Sequence, residues 1–474
     1  MNDPIVTFIP GRPNLLLGAF DVGSLGSFDT ASLGYSVEEF FVAGTASSYA
    51  PVGELEADGR WTVTAAGQAD YVTRIVVLRP LDSARFNGTA IVEWLNVTGG
   101  IDAPADWFMA HREIVRAGYA YVAVSVQRVG VEGGPSRGAD MSLKKLDPER
   151  YARLSHPGDA FAYDIFSQAG RLVRDSRSGL LGSLAPDHVL AVGESQSAMF
   201  LTTYINAVDP LAKVYDGFLV HSRFGSAGPL DGGSIFAEQI SGMPRAPKFR
   251  PDARVPILTV ITETDLLGGP RPGYYLARQP DNDRLRTWDI AGTAHADNYV
   301  TLVAPIDSGS APIEQLAAAF APTKTLMGAE LAQAINFAPQ HHYVVQAALA
   351  ALHRWVRIGE VAPVSARLEL SEADPPQLVL DEYGLAKGGI RTPWVDVPVA
   401  RTSGVGDPSN VMASLFGSGE LFDAATLVRL YPGGVEDYLA RFDEALDDAI
   451  SAGFLLYADR QEILDLARAM YPRA

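Results

Sequence analysis

The chain predicts an α/β protein: a mostly parallel central sheet with helices on both faces. Three observations predict it. Apolar runs of strand length alternate with helical patterns between residues 86 and 363. Those runs are apolar at consecutive positions, as strands covered on both faces require. The 474 residues, 47% hydrophobic and 20% charged, suffice for one large domain with insertions or for two.

The elements follow in order. Residues 1–85 read as β-rich, with YSVEEFFVAG, RWTVTAA and YVTRIVVLRP as β-prone pieces set apart by Gly, Ser and Pro. GTAIVEWLN then reads as a strand, PADWFMAHREIVRAG as a helix and YAYVAVSVQ as a strand. DIFSQAGRLVRDSRSG is helical, HVLAVG a strand and QSAMFLTTYINAV a helix, and VYDGFLVHS, VPILTVIT and LRTWDIAG complete the strands. In HHYVVQAALAALHRWVRIG, Val344, Ala347, Ala348, Ala351, Leu352 and Trp355 recur at helical spacing. Residues 222–254 and 298–340 exceed what a minimal sheet needs, and inserts at strand ends are expected to act as lids or binding loops. Residues 364–474 read as an extension packed on the 86–363 core. It is β-like and rich in Gly and Pro to near Gly404, then helical over VEDYLARFDEALDDAISAGFLL and DRQEILDLARAM.

Composition narrows the function. Lys plus Arg number 38 and Asp plus Glu 56, a formal net charge of −18. Such a chain is repelled by nucleic acid and by anionic lipid, and it has no basic block to overcome that. The absence of cysteine removes disulfides, thiolate metal sites and a cysteine nucleophile. The opening MNDPIVTFIPGRPNLLLGAF lacks a basic leader region, and its Leu15-Leu16-Leu17 is too short for a signal sequence. No run approaches the roughly 18 apolar residues of a membrane span. A soluble, cytoplasmic protein is expected, with neither nucleic-acid nor membrane partners. No G-x-x-x-x-G-K occurs, and no G-x-G-x-x-G joins an early strand to a helix, so no nucleotide cofactor is expected.

The chemistry concentrates at HVLAVGESQSAMF, residues 188–200. A strand ends at Gly193, a helix begins after Ser195, and a serine on such a turn is a nucleophile elbow, usually G-x-S-x-G. Here it reads Gly193-Glu194-Ser195-Gln196-Ser197. The last position must be small because helix and strand approach there, and Ser197 adds only a hydroxymethyl group. An activated serine needs a base and a carboxylate that orients it. In folds with this elbow the chain order is serine, acid, histidine, each at a strand end. VPILTVIT runs into Glu263-Thr264-Asp265 and LRTWDIAG into Thr293-Ala294-His295. Asp265 lies 70 residues after Ser195, and His295 another 30 on, room for the intervening crossovers.

Among eight histidines, His295 alone follows the last predicted strand on a loop of small residues, with His342 its main rival. His341 and His342 have no further ligand at helical spacing, so no metal is expected. Asp265 is favoured as the acid; Glu263, on the same turn and long enough to reach an imidazole, remains the alternative. Two N–H donors are needed for an oxyanion. One is expected from Gln196 at the helix start, the other from Asn96 or Val97 in the turn Asn96-Val97-Thr98-Gly99-Gly100, which also reads as an ordinary Gly-Gly turn. Phe224, Phe249 and Phe320 in the two inserts, with His342, are candidates for a substrate pocket; packing onto the core serves equally for each of the phenylalanines.

VEWLNVTGG, YVAVSVQRVGV, YDIFSQAGRLVR, GESQSA, TETD, WDIAGTAHAD and GGIRTPWVDVP together resemble the large bacterial "alpha/beta hydrolase domain" proteins of unassigned substrate. The resemblance runs from about residue 5 to the C-terminus, with WDIAGTAHAD its most specific part. It implies the α/β-hydrolase fold and a serine hydrolase using Ser195, an acid within TETD, and His295. The reading that results is a cofactor-independent carboxylic ester hydrolase acting on a small to medium, partly apolar ester. Acyl transfer, or hydrolysis of a lactone, thioester or amide, would use the same residues. A non-catalytic binding module on this fold is the reading from another class. Oligomeric state stays open, a homo-oligomer included.

Overall fold

The computed structural model describes residues 3–11, 13, 29–236, 240, 242–269, 271–326, 328–408 and 410–472. Leu15, Leu16 and Leu17, weighed above as a leader, lie outside them. Among the described residues the main sheet has nine strands: β1 (Ile5–Ile9), β2 (Tyr35–Pro51), β3 (Val63–Pro80), β4 (Thr89–Trp94), β5 (Ala120–Val124), β6 (His188–Glu194), β7 (Gly217–His221), β8 (Ile257–Thr262) and β9 (Leu285–Ile290). Their spatial order is β1-β2-β3-β5-β4-β6-β7-β8-β9. From β5 to β9 every pairing is parallel, whereas β1, β2 and β3 join antiparallel.

The consecutive apolar positions explain this sheet. Successive side chains point to opposite faces, and both faces are covered. Ile91, Tyr121, Leu190, Leu219, Leu258 and Trp288 enter one core. Val92, Val122, Val189, Val220 and Ile257 enter the other. The helices Ala105–Arg116 and Gln340–Ile358 cover the first face, while Ala162–Arg174 and Gln196–Thr203 cover the second. A buried acid also shapes the packing. Glu93 of β4 accepts the amides of Asp106 (2.9 Å) and Trp107 (3.0 Å), capping the helix that starts at Ala105 and has no cap from its own flank. The three β-prone pieces of the N-terminal region merge into two strands of 17 and 18 residues that pair along nearly their whole length.

The last stretch shares the first core. Phe442, Leu446, Ile463 and Leu466, from the helices Val435–Ser451 and Arg460–Met470, pack with Trp288, Tyr343 and Trp394. Ile390 bridges in parallel to Ile290, covering the end of edge strand β9.

The connectivity locates the crevice. β4 lies between β5 and β6, so the chain leaves β4 to one side and returns on the other. Ligands of open α/β sheets bind beyond the carboxyl ends of strands at such a reversal. Asn96 and Ser195 stand at that point, just past β4 and β6. Among the described residues, no helix is long and apolar enough to cross a membrane.

Candidate functional site

Ser195 adopts φ 58° and ψ −113°, a backbone conformation unusual for a residue with a side chain. The strain turns the chain sharply from β6 into the helix Gln196–Thr203, with the Ser195 amide held by the carbonyl of His221 at 2.9 Å. Close approach favours glycine at 193: a Cβ there would stand 2.9 Å from Leu201 Cδ1 and 3.0 Å from Ser197 Cβ, so the following helix would have to give. Ser197 fits in place of the usual glycine because Gly193 leaves room for it, though its hydroxyl is buried without a partner among the described residues.

His295 Nδ1 lies 2.6 Å from Asp265 Oδ1. The other Asp265 oxygen accepts from the Thr262 amide (2.9 Å) and hydroxyl (2.7 Å), which fixes the carboxylate in the turn after β8. Burial opposes charge on both partners, but mutual attraction outweighs it. Asp265 is held below the usual carboxylate range by His295 and the Thr262 donors, and His295 above its ordinary value by Asp265 and Glu194. Glu263 points elsewhere: it accepts from the Gly292 amide (2.6 Å), the Gly404 amide (2.7 Å) and the Ser403 hydroxyl (3.0 Å). It therefore ties the histidine loop to the C-terminal stretch, and burial raises its carboxyl to about 7.

Ser195 and His295 line one cavity of about 730 Å³. Its walls are largely apolar, with Ile101, Phe108, Met109, Val300, Leu415 and Phe416 prominent. Residues 298–340 contribute Val300 and Pro305 to the lining. Among its described residues the 222–254 insert contributes none of the lining, and Ser226, Met243 and Arg245 wall a second cavity. The remaining cover comes from the loop Arg137–Met141 and from Met412, Leu415 and Phe416.

The pocket candidates need correction. Phe224 packs its ring 5.0 Å from that of His295 without lining the cavity. Phe249 lies under the Arg223 guanidinium at 4.6 Å, and Phe320 stacks near Tyr299 and His342; both are core residues. His342 is buried against Tyr299, ring centroids 3.6 Å apart, and burial drives its imidazole well below the ordinary value. One residue earlier on the same helix, His341 does line the cavity.

The turn after β4 is also partly corrected. The Asn96 amide is committed to Ala103 O at 2.9 Å, so it is not the free donor expected. Asn96 instead uses its side chain, donating to Glu194 O (3.2 Å) and Oε2 (3.1 Å). Val97 N–H does face the elbow, where the side-chain oxygen of Gln196 accepts it at 3.0 Å. Gln196 is the first residue of its helix, where an amide has no intrahelical partner.

Two groups, Glu194 and His221, escaped the sequence reading. Glu194 Oε1 lies 3.3 Å from His295 Nε2, and burial raises its carboxyl to about 7. His221 and His341 meet at 2.9 Å between their Nε2 atoms, and His221 Nδ1 faces Asp106 Oδ1 at 3.0 Å. Both histidines line the cavity and are held below their ordinary value by burial. The signal for His221 was its position, at the end of the strand next to the elbow strand. Among the described residues, no group of three or more His, Asp or Glu side chains is placed to hold a metal ion.

A family model described as "Alpha/beta hydrolase domain" matches residues 11–465. The chain belongs to this alpha/beta hydrolase domain family. Solved structures similar to this alpha/beta hydrolase include a protein assigned as a dienelactone hydrolase from Klebsiella pneumoniae subsp. pneumoniae MGH 78578 (12% identity, TM-score 0.29, covering 59% of this chain and 95% of that one). Others are XC6422 from Xanthomonas campestris, described as an a/b serine hydrolase without lid (12%, 0.25, 46% and 72%), and a Rhizomucor miehei esterase (14%, 0.28, 66% and 84%). No curated protein matches the chain. Family membership supports a hydrolase; likeness at these scores carries nothing about substrate.

Proposed function

We propose that this alpha/beta hydrolase is a serine-dependent carboxylic ester hydrolase working through an acyl-enzyme, with no cofactor. One observation carries the reading: His295, bonded to Asp265 at 2.6 Å, and Ser195, on its strained turn, are walls of the same cavity. Ser195 Oγ attacks the ester carbonyl carbon while His295 Nε2 takes its proton. Asp265 accepts Nδ1–H, which fixes the tautomer and stabilises the imidazolium. The oxyanion is received by the amides of Gln196 and Val97, the Gln196 side chain releasing Val97 to it. Collapse expels the alkoxide, which takes the proton from His295. Water, deprotonated in turn by His295, attacks the acyl carbon and returns Ser195 with a free carboxylic acid. The apolar walls suit a small to medium, partly apolar ester.

The test is labelling of the folded protein with a fluorophosphonate, the adduct located by mass spectrometry, beside an aryl-ester chain-length series. Ser195 should carry the label, and Ser195→Ala should abolish both labelling and ester turnover. An unlabelled Ser195, or a Ser195→Ala variant that still hydrolyses the esters, would overturn the reading.

A further inference from the structure

Beside the Ser195 cavity stand two neighbouring guanidinium groups, those of Arg137 and Arg271, which have no carboxylate partner among the described residues. Arg137 lines the cavity, on a loop pinned to the turn after β4 by its amide, which donates to Thr98 O at 2.8 Å. Arg271 is half-buried and donates to Ile235 O at 2.6 Å. Both guanidinium carbons lie near the ring of Phe236, at 5.6 Å and 5.9 Å from its centroid. The two arginines are close enough to repel, and Arg271 acts on His295: its charge opposes protonation of that imidazole. Among the described residues neither has a carboxylate partner; Glu238, two positions past Phe236, lies outside them.

Acids outnumber bases by eighteen, and several half-buried arginines take them up: Arg79 with Glu38 (2.5 Å), Arg254 with Asp209 (2.8 Å), Arg391 with Asp381 (3.1 Å). A half-buried cation beside a like charge is unfavourable without an anion to neutralise both. Burial and the neighbouring Arg137 together pull Arg271 down to about 10.

We infer that the ester taken by this site carries a carboxylate, and that Arg137 on the cavity wall and the neighbouring Arg271 receive it. The inference rests on the ester-hydrolase reading and deepens it by naming a substrate class. Guanidinium forks match a carboxylate in plane and can bind it through two hydrogen bonds. A single charge suits walls built from Phe108, Met141 and Leu415, where stripping water from a dianion would cost more. At longer range the net charge of −18 repels anions, so an acidic substrate needs a local cationic patch.

The test compares acidic esters with neutral twins. In one series p-nitrophenyl hemisuccinate, hemiglutarate and hemiadipate, with the charge on the acyl side, are set against their methyl-capped forms. In the other, acetoxybenzoates, with the charge on the alcohol side, are set against their methyl esters. The acid-to-neutral ratio of kcat/KM should reach about tenfold or more in one series, mainly through KM. Arg137→Gln and Arg271→Gln should each pull that ratio toward one, and Glu238→Gln should leave it in place. Neutral twins that equal the acidic esters in both series would overturn the inference. So would arginine variants that keep the preference, or a preference appearing only in Glu238→Gln, which would make Glu238 the native partner. Serine-dependent turnover of neutral esters without any acid preference would remove this inference alone. Failure of both labelling and ester turnover would remove the hydrolase reading as well.

Discussion

At the residue scale, the site joins two carboxylates to one imidazole, Asp265 on Nδ1 and Glu194 beside Nε2. Both favour the protonated ring, so the acidic limb of kcat/KM should lie above that of an unperturbed histidine. Glu194→Gln removes one of these charges. The limb should then move to lower pH by about 1 unit, checked by a full pH profile of kcat/KM against wild type. Asp265→Asn should lower kcat by about 10⁴-fold, because the orienting acceptor is lost. Glu263→Gln should cost less than about tenfold in rate and about 1–3 kcal/mol in stability, since one of its three donors loses an anionic acceptor. Steady-state kinetics and urea melts on the two variants separate these outcomes. His295 and Asp265 were legible because each follows a strand at the spacing that the elbow demands. The choice against Glu263 was not, because a side chain two residues away on the same turn differs only in direction. The aromatic candidates failed for the same reason: composition names a phenylalanine but not the side of the backbone it leaves.

At the scale of elements, the strand-turn-helix unit around Ser195 depends on contact between Gly193 and the helix that follows. Gly193→Ala should force that helix off β6, costing about 1–3 kcal/mol by denaturant melt and at least about tenfold in kcat through misplacement of Ser195. The six parallel strands and their helices could be read from the sequence because burial on both faces leaves an unbroken apolar run. Two features could not. The 17- and 18-residue strands of the N-terminal hairpin look like separate short pieces, since the longer one leaves the core and turns polar over Thr64-Ala65-Ala66-Gly67-Gln68. The roles of the inserts were also divided differently from expectation: residues 298–340 reach the cavity while 222–254 build a neighbouring one. Lengths of loop reveal that something is covered, and only tertiary packing decides what.

At the scale of the molecule, the helices Val435–Ser451 and Arg460–Met470 build their core on the sheet, because Phe442, Leu446 and Ile463 share theirs with Trp288 and Tyr343. Ion pairs strengthen the join, including Arg112 with Glu462 (3.0 Å) and Arg116 with Asp459. Scanning calorimetry should therefore show one cooperative transition for the whole chain, and a separate early melt of the last hundred or so residues would contradict this packing. The last stretch also completes the cavity with Met412, Leu415 and Phe416 and anchors the histidine loop through Ser403 and Gly404. A polypeptide still emerging from the ribosome, with residue 363 just made, would already hold Ser195, Asp265 and His295 but lack that closing wall. On the proposed reading, a protease nick between the helix Gln340–Ile358 and Phe416 would leave all three side chains in the same fragment while loosening the wall that holds an ester against them, and turnover should fall.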